Sequence, residues 1–230
     1  MSDMEIYPLG DCAVVIQFSK MIEPSVQSFI QKAQNAIECH PFSGFLECTP
    51  AYTTLTVFYD PVAISYAEVI QKLRHTIARV SESEVTQSRI VSIPVCYGGV
   101  YGPDLSFVAQ YHGLTESEVI KLHTSPEYQV FMIGFAPGFP YLGGLSKRLV
   151  TPRKTTPRSQ IQAGSVGIAG EQTGIYSVST PGGWQIIGRT PIQLFHVENH
   201  PPSLLQAGDK VRFIPITERE YKRLEMVGIR

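Results

Sequence analysis

Five basic side chains, Lys147, Arg148, Arg153, Lys154 and Arg158, lie between Glu127 and Glu171, an interval without one acidic residue in a chain whose formal net charge is −1. Such a local cationic field suits an anion. Arg153 and Arg158 each follow a proline in TPRKTTPR, and the fixed φ of proline holds the backbone at each arginine more firmly than a flexible loop would. Planar guanidinium groups held in this way match carboxylates and phosphates. The same run could equally be a solvated basic loop, and the residues alone leave both readings open. Further on, STPGGWQIIGRTP carries the only tryptophan, Trp184, behind a Gly-Gly turn. Its ring either floors a pocket or plugs the barrel. With Phe135, Phe139, Tyr141 and Tyr176 it defines an expected concave aromatic site, rimmed by Arg153, Arg158 and Arg189.

Other chemistry is weakened by spacing. The glycine-rich AGSVGIAGEQTG could cradle an anion through backbone N–H groups, but it has no Walker lysine, no GxGxxG and no helical pattern behind it. Its glycines read instead as turn and close-packing positions of a barrel. Ser165 and Ser177 lack a GxSxG elbow, which disfavours a serine hydrolase. His196 and His200 have the spacing of a helical metal pair, yet HVENH flanks a strand end and a Pro-Pro turn, so no metal site is expected. His112 and His123 are expected at the surface or as helix caps, and Asp104 and Asp209 beside turns. Cys12, Cys39, Cys48 and Cys96 form no CxxC and read as buried thiols. No side chain has an unmistakable acid, base or nucleophile role, so no catalytic residue is assigned.

These side chains need elements to position them. Apolar residues make up 43% and charged residues 17% of the 230, a balance that describes a packed protein rather than a disordered one. The longest apolar runs fall far short of the roughly 18 residues that cross a bilayer. MSDMEIYPLGD lacks a basic start and an apolar centre, so a cytoplasmic location is expected. The near-neutral charge gives no reason to invoke nucleic acid. IYPLGDCAVVIQF reads as two strands around a Gly-Asp turn; Val26, Phe29, Ile30, Ala33 and Ile37 then follow helical spacing. Two strand candidates, GFLECTP and TTLTVFY, precede a second helix with Val69, Ile70, Leu73 and Ile77 on one stripe. That order predicts a small α+β sandwich over residues 1–85. The polar, aperiodic SESEVTQSR at 81–89 is the expected linker. Residues 86–230 then start with a strand and two short helices, the second announced by the capping box Thr115 and Glu118. YQVFMIGF, SVGIAG, GIYSVS, WQIIGRT, QLFHV and KVRFIPI follow as short strands of a mainly-β barrel, and TEREYKRLEMVGIR as a frayed helix or tail.

IPVCYGG, YGPDL, GFAPGFPYLGGL, the two TPR tripeptides, AGSVGIAG, QTGIY, PGGWQ, IGRTP and VRFIPI, in this order between residues 90 and 216, resemble the KipI/PxpB family, also called allophanate hydrolase subunit 1. The resemblance implies an α+β N-terminal domain followed by a cyclophilin-like β-barrel domain, without prolyl isomerase activity. It further implies a subunit of the bacterial ATP-dependent 5-oxoprolinase, which opens 5-oxo-L-proline to L-glutamate. A larger barrel subunit of the PxpC type, homologous to allophanate hydrolase subunit 2, and a third lactam-hydrolase subunit are the implied partners. ATP with Mg is used by that complex, and no motif of this chain binds it. The expected substrate-binding residues are Arg153, Arg158, Arg189, Phe139, Tyr141, Gln172, Tyr176 and Trp184. Two other family readings stay open: an inhibitor of a sporulation histidine kinase acting through the barrel domain, and a subunit of a urea carboxylase or allophanate hydrolase system. For the latter no biotin-acceptor lysine motif is visible, so any biotin would belong to another chain.

Overall fold

The computed structural model describes residues 4–80 and 88–228. Its packing gathers the chain into two units, residues 1–87 and 88–230, and the expected linker lies, over 81–87, outside the described residues. In the first unit, β1 (Glu5–Leu9) and β2 (Ala13–Gln17) form a hairpin, followed by α1 (Pro24–Cys39), β3 (Phe45–Pro50), β4 (Thr54–Tyr59) and α2 (Tyr66–Ala78). The strands make one antiparallel sheet in the order β1-β2-β4-β3. Every second residue of the central strands faces the helices. Val14, Ile16, Leu55 and Val57 thus meet Ile30, Ala33 and Ile37 of α1 and Val69, Leu73 and Ile77 of α2 in one core, each valine, leucine and isoleucine contributing about 1.5–3 kcal/mol by leaving water. Helix α2 starts on a capping box, in which Ser65 Oγ accepts from the Glu68 N–H and the Glu68 carboxylate accepts from the Ser65 N–H.

The second unit begins with β5 (Ile90–Tyr97), α3 (Leu105–Tyr111) and α4 (Glu116–Thr124), the last capped by Thr115 and Glu118 as their spacing predicts. Then come β6 (Tyr128–Ile133), β7 (Pro140–Gly143), a 3₁₀ turn at Lys147–Leu149, β8 (Arg158–Ile161), β9 (Ser165–Ala169) and β10 (Gln172–Ile175). They are followed by β11 (Thr180–Gly182), β12 (Gln185–Arg189), β13 (Lys210–Ile216) and α5 (Glu218–Val227). Seven strands close into a barrel in the order β10-β7-β6-β13-β5-β12-β9, all neighbours antiparallel except β5 and β13. Its interior is filled by Val95, Val130, Leu142, Val166, Ile168, Ile187 and Phe213 among others. Strands β8 and β11 pair separately as a two-stranded ribbon.

Several expectations are corrected. QLFHV is no strand and makes only an isolated bridge between Phe195 and Ser203, because the following Pro-Pro segment supplies no ladder donors. The strand expected at GIYSVS lies earlier, at Gln172–Ile175. The charged C-terminal segment is an ordered helix: Thr217 and Glu220 form a third capping box and Tyr221 is buried. Cys48 and Cys96 are buried, and burial first, with nearby Glu38, pushes the Cys48 thiol up to about 12. Cys12 and Cys39 are exposed instead, one in the β1–β2 turn and one at the end of α1.

His123 is neither at the surface nor a cap. Its ring is fully buried and stacked on Phe213 at 4.6 Å. Thr173 Oγ1 donates to the Gly167 carbonyl, so it must accept from His123 Nε2–H at 2.9 Å, and Nδ1 then accepts from the Tyr97 hydroxyl at 2.9 Å. Burial holds the imidazole pKa down at about 3, which keeps the ring neutral inside the barrel. Among the described residues, no helix is long and apolar enough to cross a membrane.

Candidate functional site

The period of two in the barrel strands separates two apolar clusters. Leu142, Val166, Ile168, Ile175 and Ile187 point into the barrel, whereas Ala169, Ile186, Trp184, Phe139, Tyr176 and Ile161 pack together in a second cluster. Two glycines of the glycine-rich segment make this possible. A Cβ on Gly174 would meet Phe139 and Trp184 at 3.1 Å, and one on Gly167 would meet the Trp184 Cβ at 3.2 Å. The segment is therefore the footing of an indole ring, not a phosphate cradle. Trp184 stands edge-on to Phe139 at 5.5 Å and to Tyr176 at 6.3 Å, with Tyr141 at 6.4 Å, the geometry that aromatic quadrupoles favour. Burial above all pushes the Tyr176 phenol up to about 12, so it stays a neutral donor. It also lies close enough to Gly182 that a Cβ there would meet its oxygen at 2.3 Å.

Phe139, Tyr176 and Trp184, expected as site walls, are thus buried, and Tyr141 is half-buried. The exposed ring of the set is Phe135. Sequence reading ends a barrel strand at this residue, but β6 stops at Ile133 and Phe135 sits at φ +68°, with 62% of its surface exposed. The Gly134 N–H donates to the Phe139 carbonyl and the Ala136 N–H to the Gly134 carbonyl, which closes a tight loop around it. A left-handed backbone costs a non-glycine residue about 1–2 kcal/mol, and strain of this kind clusters at binding and active sites. The Phe135 ring leans edge-on against Phe139 at 5.4 Å.

The charged half of the site converges on Asp104. This carboxylate, 5% exposed at the start of α3, accepts from Lys154 Nζ at 3.2 Å and Arg158 Nη2 at 2.8 Å through one oxygen, and from the Ile186 N–H at 2.7 Å through the other. Burial acts to raise its pKa, but hydrogen bonds from Arg158, the Ile186 N–H and Lys154, with the Arg158 charge, hold it below the usual carboxylate range. One strand thereby links charge and rings, because Ile186 is two residues from Trp184 and the Lys154 N–H donates to the Gly183 carbonyl at 2.7 Å. Arg153 is exposed on the same loop, and its charge reaches the Tyr176 phenol. With Arg153, Lys154 and Arg158 against Asp104 alone, the cluster keeps a positive excess.

Not every expected residue is gathered here. Gln172 is half-buried at the start of β10, opposite Ala169. Arg189 closes the far end of β12, about 13 Å along the strand from Gln185. There its Nε donates to the Ala163 carbonyl at 2.9 Å and its Nη1 bonds the Gln162 side chain. Sequence reasoning missed Asp104 as the hub. The available signal was the charge imbalance itself, since a dense cationic run needs a counter-ion from elsewhere in the chain. Among the described residues no group of three or more His, Cys, Asp or Glu side chains is placed to hold a metal ion.

A closed barrel with this aromatic and cationic outer site defines a class before it defines a particular activity. Residues 4–205 match the family described as carboxyltransferase domain, subdomain C and D, and the chain belongs to that family. Within it, the chain is 51% identical over 227 residues to the B subunit of the Bacillus subtilis 5-oxoprolinase, covering 94% of this chain and 95% of that one. It is 44% identical over 211 residues to the B subunit of the Haemophilus influenzae 5-oxoprolinase, covering 92% and 97%. Among solved structures, TTHA0988 superposes with a TM-score of 0.80 at 33% identity, covering 89% of this chain and 40% of that longer chain.

Proposed function

We propose that this chain is the B subunit of a multi-subunit 5-oxoprolinase, a two-domain protein with a cyclophilin-like barrel that helps activate 5-oxo-L-proline for ring opening to L-glutamate. Full-length similarity to two proteins of that name supports the subunit role. The observation that carries the reading is the cationic excess around Asp104 beside the exposed ring of Phe135. The substrate is a five-membered lactam with one carboxylate. Its apolar ring suits an aromatic edge, and its carboxylate suits the exposed guanidinium of Arg153.

Hydrolysis adds water across the bond between the lactam carbonyl carbon and nitrogen. The amide carbon is a weak electrophile; bound at the completed site, ATP would activate it by passing its γ-phosphoryl group to the amide oxygen with release of ADP, and the phosphate would leave as water adds to the carbon and the C–N bond breaks. The glycine-rich segment of this chain is covered by Trp184, which leaves it no role as a phosphate cradle. What these residues contribute is binding, orientation and stabilisation of the negative charge that grows on the carbonyl and phosphoryl oxygens. Asp104 fixes the ends of Lys154 and Arg158 before the anion arrives, which spares reorganisation at the reacting centre. The match of this chain to part of a longer one supports a site completed by a neighbouring polypeptide.

The test is co-expression with the neighbouring subunits and measurement of ATP-dependent glutamate formation from 5-oxo-L-proline. Arg153→Gln should lower kcat/KM about 100-fold, the loss of one charge-assisted contact with the developing anion, while leaving assembly and folding unchanged. Full activity in that variant, or no product from an assembled wild-type complex, rejects the reading.

A further inference from the structure

A second cleft, of about 400 Å³, opens beside α5 and has no part in the aromatic and cationic site. Phe195, Ile192 and Tyr221 give it apolar walls, and Arg189 and Glu225 bound it. At Gly164 the backbone comes so close to Thr190 that a Cβ would meet its carbonyl oxygen at 2.3 Å, which makes this side of the cleft rigid. The volume falls within the range of small-molecule sites, about 300–1,000 Å³.

The charges decide what fits. Arg189 is oriented by the Ala163 carbonyl and the Gln162 side chain, which leaves its Nη2 edge uncommitted. Among the described residues it makes no ion pair, and neither does Glu225, although both line the same cleft. Burial first, then the charge and hydrogen bond of Glu225, raise the Tyr221 phenol above its ordinary value against the opposing pull of Arg189. Tyr221 thus stays neutral, one helical turn from Glu225 on α5 and at the edge of the same cleft as Arg189. A simple anion would answer Arg189 and leave Glu225 facing it; a simple cation would do the reverse. A molecule with a carboxylate and an ammonium group answers both.

We propose that this cleft binds a free L-α-amino acid, with its carboxylate on Arg189, its ammonium on Glu225 and its side chain against Phe195 and Ile192. The site stands apart from the lactam reading, and 5-oxo-L-proline, which lacks an ammonium group, is not its ligand. The experiment is an amide-resolved NMR titration of the intact chain with each of the common L-amino acids at millimolar concentration. At least one should saturably shift the amides of Gly164, Arg189, Gln193 and Glu225, and its N-acetyl derivative should not. Glu225→Gln, on an exposed helix position, should weaken binding about tenfold, the usual weight of one charge-assisted contact. Arg189→Gln should do the same, with the ligand-free spectrum of each variant compared with wild type to show that it folds, and Glu225→Gln carries the test if Arg189→Gln, which loses the bond to the Ala163 carbonyl, does not. The proposal is overturned if no amino acid moves these amides, if the acetylated form binds as well, or if Glu225→Gln binds like wild type.

Discussion

Replacing His123 by glutamine should reverse the stability order of the two proteins as the pH falls. The buried ring holds its proton on Nε2 and keeps a pKa of about 3, whereas a histidine in the unfolded chain titrates near 6.5. Between these values the unfolded chain binds a proton that the folded one refuses. Native stability is therefore lost as pH drops below 6.5, by about 1.4 kcal/mol per unit. From pH 6.5 to pH 5 this comes to about 2 kcal/mol. Glutamine keeps a donor and an acceptor for Thr173 and Tyr97 but places them less well, and a strained buried hydrogen-bond pair costs about 1–3 kcal/mol at neutral pH. The wild type should lead by roughly that amount at pH 7, the two curves should meet near pH 5, and the variant should lead at pH 4. Carboxylates such as Asp104, whose depressed pKa makes their contribution fade in acid, act in both proteins and cancel in the difference. Urea unfolding read from the fluorescence of Trp184, the only tryptophan and a residue of the barrel unit, reports the relevant transition. Parallel curves from pH 7 to pH 4 would refute the neutral buried histidine.

Asp104→Ala should cost about 2–4 kcal/mol, because it strands Lys154, Arg158 and the Ile186 N–H without their acceptor, and Asp104→Asn, which keeps one oxygen for Ile186, should cost less in the same urea assay. Gly143→Ala should lower Tm markedly, by about 1–3 kcal/mol of overpacking, since its Cβ would sit 1.9 Å from the buried Phe131 ring. Gly170→Ala meets open space and pays only for its φ of +57°, so its Tm should fall by less. Thr217→Ala removes the cap of α5 and should cost about 1 kcal/mol, seen as faster amide exchange confined to Glu218–Val227.

What sequence periodicity encodes, it encodes locally. The helix stripes of α1 and α2 and the capping box of α4 could be read because each depends on residues three or four apart. The C-terminal helix α5 lacks that signal: its single buried anchor, Tyr221, has no apolar stripe around it, so the charged segment looks frayed in sequence. The barrel strands could be read as short and turn-separated, but not their closure. Pairing β13 in parallel with β5 joins residues 90–96 to 210–216, and no local pattern specifies so distant a partner. His123 and Asp104 failed in the same way. A histidine on a short polar helix looks exposed until Tyr97 and Thr173 arrive from 26 and 50 positions away. An aspartate beside a turn looks like a local turn residue until two cations arrive from 50 and 54 positions away.

The stretch from Phe131 to Gly144 shows how one aromatic run can divide its labour. Phe131 is buried against Gly143, where only a glycine leaves room, and Phe139 is buried against Trp184 and Gly174, where a Cβ would fit tightly. Phe135 has no such recess. Its loop is closed by hydrogen bonds that force a left-handed backbone, and the ring so placed remains mostly in solvent, touching its neighbours only by its edge. Strain and apolar exposure at one residue are both unfavourable, and the loop hydrogen bonds and the packing of Phe139 and Tyr176 hold the residue there against them. An exposed ring held this rigidly is preorganised for a ligand or a partner surface. The buried rings of Phe139, Tyr176 and Trp184 then act as the rigid platform that keeps Phe135 beside the cations of Arg153, Lys154 and Arg158.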